Sequence, residues 1–107
     1  MAFERLCLLD DVWEGEMQVF ELGGKEILVI NAEGGVVRAV EARCPHQDHP
    51  LSEGSLQGRI LTCSAHLWQF DVESGAGVNP TGCKLKNYPI KVVDGEVLVD
   101  VDNLQAA

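Results

Sequence analysis

Basic residues are scarce in this chain. Eight lysines and arginines stand against 17 aspartates and glutamates, giving a formal charge of −9 at pH 7. Such a surface excludes a polyanion such as DNA, RNA or an acidic membrane as partner. An acidic surface docks best on basic partners, although the same excess also serves solubility. Long hydrophobic runs are missing too. The longest are strand-length, such as Ile27-Leu28-Val29-Ile30, far short of the roughly 20 residues that cross a bilayer, so no membrane span is expected. The opening Met1-Ala2-Phe3-Glu4-Arg5 carries charge at once, with no apolar core ahead of a small-residue cleavage site. No secretory signal is expected, and a cytoplasmic location is. Helical periodicity, internal repeats and low-complexity segments are nearly or wholly absent.

What is present is a chain of 107 residues, 46% apolar. That is enough for one compact domain, 1–107. Its burial capacity is limited enough that a prosthetic group clamping two loops would add appreciably to stability. Glycine-containing turns separate short alternating or β-branched segments, which predicts an antiparallel, all-β fold. Strands are expected at 5–8, 17–22, 26–31, 36–41, 59–62, 69–71, 88–93 and 96–101, with one helical turn over 9–13 that starts on acids and stops at Gly15. Gly23-Gly24 and Asp94-Gly95 predict tight hairpins, because both central residues of a type I′ turn need positive φ. Glu33-Gly34-Gly35 predicts a looser turn, and 74–82 a long irregular excursion before the last hairpin. Residues 43–58 are rich in Cys, Pro, His, Asp, Ser and Gly with little periodic apolar pattern. They read as a functional loop that needs an organiser, and a metal centre is one.

Four cysteines occur, at Cys7, Cys44, Cys63 and Cys83. In a secreted chain they would suggest two disulfides, but without a signal segment metal binding is the better reading. Cys44-Pro45-His46 and, sixteen residues on, Cys63-Ser64-Ala65-His66 each offer one thiolate and one imidazole. In either half the short separation lets two side chains converge on one site. Thiolate and imidazole together suit iron–sulfur or zinc, so the donor types leave both open. Their arrangement favours a [2Fe–2S] centre in which one iron takes two Cys and the other two His. A structural zinc finger instead tends to place its two Cys in one short motif and its two His on a helix. No helix is predicted around His66, and a zinc module stays as the alternative.

These two motifs, on an all-β chain of this size, resemble the Rieske ferredoxin family. The resemblance implies the Rieske fold: an antiparallel β-sandwich with a small cluster-binding subdomain, about 42–83, made of two loops. It also implies one [2Fe–2S] cluster held by Cys44, His46, Cys63 and His66, with the histidine pair forming the exposed edge. Respiratory and photosynthetic members add a disulfide over the cluster, at positions that here are His49 and Ala65, so that bridge is not available. The hydroxyl that hydrogen-bonds their cluster would fall at Trp68. Fewer donors to cluster sulfur imply a potential toward the low end of the Rieske range of about −150 to +300 mV.

Further segments narrow the likeness. Phe3-Glu4, Leu9-Asp10-Asp11-Val12-Trp13, Gly15-Glu16-Met17, Cys44-Pro45-His46-Gln47, Leu51-Ser52-Glu53-Gly54 and Ala65-His66-Leu67-Trp68 resemble the ferredoxin component of bacterial toluene monooxygenases, nearly end to end. That resemblance implies an electron carrier, not an enzyme. It would take single electrons from an NADH-dependent flavin and iron–sulfur reductase and pass them to a diiron hydroxylase of aromatic hydrocarbons. The ferredoxin of an aromatic-ring dioxygenase is the alternative. A monomer is expected. Trp68 and Gln47 are candidates for docking or electron transfer, since aromatic residues are favoured at interface cores. Trp13 is expected to pack, His49 to be solvated, and Cys7 and Cys83 to be free thiols outside the site. Asp10-Asp11 and Glu14-Gly15-Glu16 read as a solvated acidic face. No nucleophile and base arrangement is visible in the chain.

Overall fold

Four consecutive apolar residues cannot alternate between a core and water, so the strand carrying Ile27-Leu28-Val29-Ile30 needs cover on both faces. The computed structural model supplies it, and describes residues 3–43, 50–63, 68–79, 85–101 and 105–106. In chain order the strands are β1 (Glu4–Leu8), β2 (Glu16–Leu22), β3 (Lys25–Ala32), β4 (Val36–Glu41), β5 (Ser55–Gln57), β6 (Ile60–Thr62), β7 (Gln69–Asp71), β8 (Gly77–Asn79), β9 (Lys86–Tyr88), β10 (Ile90–Val93), β11 (Glu96–Val99) and β12 (Gln105–Ala106). They form three antiparallel sheets, ordered β1-β11-β10, β12-β9-β4-β3-β2 and β5-β6-β7-β8.

The five-stranded sheet is the middle layer. From β3, Leu28, Ile30 and Ala32 face one interior with Val40, Ala42, Leu51, Leu61, Cys63, Phe70, Val72 and Leu85. Ile27 and Val29 face a second interior with Cys7, Val12, Ala39, Tyr88, Val97, Val99 and Val101. The register keeps these sets apart: Leu28 pairs with Val19 and Val40, and Ile27 with Phe20. Residues 27–30 are all fully buried, each side chain contributing roughly 1.5–3 kcal/mol relative to exposure.

Most of the expected strands form, and the all-β antiparallel expectation holds. Gly23 and Gly24 have φ of +62° and +79°, and Asp94 and Gly95 +51° and +77°, as two-residue hairpin turns require. The differences are local. Residues 9–13 give only a 3-10 turn, Leu9–Asp11, whose entry is fixed by the Leu8 N–H donating to Asp11 Oδ2 at 3.0 Å. The expected loop 43–58 contains a second 3-10 turn, Leu51–Glu53, and β5. The irregular excursion 74–82 contains β8. The single strand expected at 88–93 is two strands in different sheets, β9 and β10. Pro89 sits at the break, where its missing N–H cannot serve a ladder, while its carbonyl accepts the Asp100 N–H at 3.1 Å.

The two ends of the middle sheet carry different things. Glu16, at the start of β2, pairs with Asn31, and Glu41, at the end of β4, pairs with Ile27. These rows lie four residues apart on β3, about 13 Å. The turn holding Trp13 runs on beyond one row and Arg43 beyond the other. The β5–β6 turn joins the Trp13 end, with the Glu33 N–H donating to the Gly58 carbonyl at 3.2 Å. Arg59 holds it there, donating from Nε to the Glu33 carbonyl at 3.2 Å and from Nη1 to Glu73 Oε1 at 3.0 Å. Cys63, past the far end of β6, therefore falls at the Arg43 end.

Candidate metal centre

Each motif is rooted in a closed backbone frame. On the first, Arg43 and Pro50 form an antiparallel bridge, and the Leu51 N–H donates to the Ala42 carbonyl at 2.9 Å. This brings the two ends of 44–49 together. On the second, the Thr62–Gln69 pair of the β6–β7 hairpin is followed by the Cys63 N–H donating to the Trp68 carbonyl at 2.7 Å, which closes the chain around 64–67. Cys44, His46, Gln47, His49, Ala65, His66 and Cys83 lie outside the described residues. Of the four expected ligands, Cys63 is the one the structure describes.

Cys63 is fully buried and, among the described residues, has no disulfide partner. Its neighbours in the interior are apolar, including Leu51, Leu61, Phe70 and Leu85, with Trp68 packed partly buried against the same cluster. A sulfur donor there suits a soft metal centre, and the apolar shell limits solvent access, which tunes redox potential. The backbone frames do the positioning that a cluster-binding loop needs.

The two frames also touch. Gly54 closes the 3-10 turn after the first motif, its N–H donating to the Leu51 carbonyl at 3.0 Å. A Cβ at Gly54 would run into the carbonyl of Thr62, the residue before Cys63. Only a residue without a side chain lets the two frames approach this closely. Leu51-Ser52-Glu53-Gly54 carries part of the family resemblance, but nothing in the sequence assigns Gly54 this role. The lone glycine ending that motif was the available signal.

Around the first frame the charges are mixed. Arg43 Nη2 lies 3.9 Å from Glu26 Oε1 on the surface, a pair of little energetic weight. Glu41, half-buried at the end of β4, has its carboxyl pushed above the usual range by burial. The Lys86 N–H, 3.3 Å from Glu41 Oε2, and the Lys86 charge oppose that shift. Burial and the Glu41 charge together raise the Tyr88 phenol. Away from the motifs, Cys7 is buried and free, as expected. Burial, with the Asp11 charge adding to it, raises its thiol to about 11. Trp13 differs from expectation: it is 68% exposed rather than packed, because the short 3-10 turn ends before it and leaves it on a surface turn.

A family model for the Rieske [2Fe-2S] domain matches residues 3–89. The ferredoxin component of an alkene monooxygenase system from Xanthobacter autotrophicus is 44% identical over 100 residues, 92% of this chain and 81% of that protein. The ferredoxin component of biphenyl 2,3-dioxygenase from Rhodococcus jostii is 37% identical over 103 residues, 95% of each chain. Among solved structures, the Sphingomonas yanoikuyae B1 ferredoxin superposes with a TM-score of 0.82 at 30% identity, covering 92% of this chain and 98% of that one. The chain belongs to the Rieske [2Fe–2S] domain family. It is a ferredoxin with a Rieske-type [2Fe–2S] cluster, an electron carrier rather than an enzyme, and its relatives are ferredoxin components of multicomponent oxygenase systems.

Proposed function

We propose that the protein carries single electrons from an NADH-dependent flavin and iron–sulfur reductase to the diiron hydroxylase of an aromatic monooxygenase such as a toluene monooxygenase. The monooxygenase reading is carried by the 44% identity to a monooxygenase ferredoxin, against 37% for the biphenyl dioxygenase ferredoxin. The aromatic substrate class rests on the motif resemblance, from Phe3-Glu4 through His66-Leu67-Trp68. In this reading Cys44 and Cys63 bind one iron and His46 and His66 the other, within a cluster-binding subdomain of about 42–83 in a single domain, 1–107. Support comes from the full burial of Cys63 at a loop root and from the contact between the two frames at Gly54 and Thr62. When bound, the cluster accepts and releases one electron at a time. The chain supplies the rest: an apolar wall behind Cys63, backbone frames that fix the ligand loops, and Trp68 with Gln47 on the face that meets a partner. The carrier acts as a cytoplasmic monomer, and its acidic surface favours basic docking faces.

Reconstitution tests the reading. Reduced by a toluene monooxygenase reductase and NADH, the protein should support product formation by the toluene monooxygenase hydroxylase at a higher rate than by the biphenyl dioxygenase oxygenase. The opposite order favours the dioxygenase reading, which the biphenyl relative supports. Faster turnover with an alkene monooxygenase hydroxylase would move the substrate class from aromatic to alkene.

A further inference from the structure

A tryptophan that is 68% exposed is an unusual surface residue, since aromatic side chains bury large areas and concentrate at interface centres. Trp13 is held rather than loose. Its backbone N–H donates to Glu16 Oε1 at 3.2 Å, and its backbone carbonyl accepts the Glu16 N–H at 2.9 Å. The Gly15 N–H ties the same turn to the Asn31 carbonyl at 2.7 Å, and the Gly34 N–H ties it through Glu14 Oε2 at 3.3 Å. With the backbone held, binding has only the two side-chain torsions of the indole left to order.

Its surroundings are mainly acidic and partly apolar, and Arg59 at this end is taken up by the Glu33 carbonyl and Glu73. Asp10, Asp11, Glu14, Glu16 and Glu33 are all exposed around this end of the molecule. The neighbouring Asp94-Gly95 turn, joined to it by the Leu9 N–H donating to the Gly95 carbonyl at 2.8 Å, brings exposed Leu8 and Val93. All of this lies at the end of the middle sheet opposite Arg43 and Cys63.

We propose that Trp13 anchors a second docking surface, remote from the cluster, and that its occupant is a basic, apolar-pocketed face of the hydroxylase. The inference rests on the functional reading above. Charge complementarity selects the occupant: a guanidinium or ammonium group can stack on the indole while its neighbours meet the carboxylate rim. No electron passes through this contact. Hydroxylation takes two electrons and the carrier brings one at a time, so a contact that leaves the cluster end free to turn between reductase and hydroxylase raises its effective concentration at the acceptor.

The test uses the holoprotein in the reconstituted toluene monooxygenase system. Trp13→Ala should raise the carrier concentration giving half-maximal turnover by about tenfold, the scale of an interface anchor, while saturated turnover, reduction by the reductase and the cluster's EPR spectrum stay as in wild type. Asp10→Lys, at an exposed carboxylate outside the turn's own hydrogen bonds, should raise it in the same sense. The photo-reactive side chain benzoylphenylalanine at position 13 should crosslink to the hydroxylase at low salt and lose that crosslink at high salt. Unchanged half-saturation in both variants, or crosslinking to the reductase alone, overturns the proposal while leaving the functional reading in place. Failure of the wild-type carrier to support the hydroxylase at all takes down both.

Discussion

Thr62 is where two residues from different loops meet, with Gly54 against its carbonyl and Cys63 next in the chain. Gly54→Ala should therefore cost about 2 kcal/mol by overpacking and shift the EPR spectrum of the reduced cluster; thermal melts and EPR of the variant check this. Its backbone φ is −81°, which any residue adopts, so the penalty belongs to the contact and not to the conformation. His46→Ala and Cys63→Ala should each abolish the two-iron centre by iron and sulfide analysis, whereas Cys83→Ala should retain it. Cys7 predicts an alkaline effect. Burial, with Asp11 beside it, holds its folded thiol up at about 11 against 9.0 for a free thiol, so the stability it contributes is fully present below pH 9 and is lost as pH rises from 9 to 11. Urea midpoints across that window should fall further for wild type than for Cys7→Ala. The two Cys and His motifs stood out in the sequence because their short spacings are specific in themselves, and of their four candidate ligands the structure describes Cys63. Gly54 did not stand out, since its requirement comes from a backbone that lies eight residues away in sequence. Trp13 was misjudged because indole burial follows from where a turn happens to stop.

Among the elements, β3 carries the largest share of burial. Leu28→Ala should destabilise by about 3 kcal/mol, as a cavity in a closed interior does, and a denaturant midpoint measures it. Val92→Thr on the exposed part of β10 should change that midpoint little. The longer strands were readable from β-branched runs bounded by Gly-Gly and Asp-Gly. The three-residue strands β5 and β8 were not, because each lies among turn residues, Gly54-Ser55 and Gly58 around one and Gly75, Gly77 and Pro80 around the other, whereas β7 of equal length was. The break between β9 and β10 had a visible cue in Pro89. Its consequence, Tyr88 in one sheet and Ile90 in another, depends on tertiary packing that proline alone does not specify.

For the molecule as a whole, the cluster is part of the stability of the end that holds it, because a group bound only by the folded chain stabilises that chain. Removing iron and sulfide should lower the melting temperature followed by far-UV circular dichroism, and reconstitution should restore it. The family was legible in two short motifs, while the layered arrangement of three sheets emerged only from which face each residue of β3 takes. That arrangement governs how the molecule comes apart. The middle sheet is a party wall between two interiors, so neither can empty without stripping one side of the other. With iron and sulfide removed, the two interiors should then empty together, and urea titrations followed by near-UV and by far-UV circular dichroism should superimpose in a single transition.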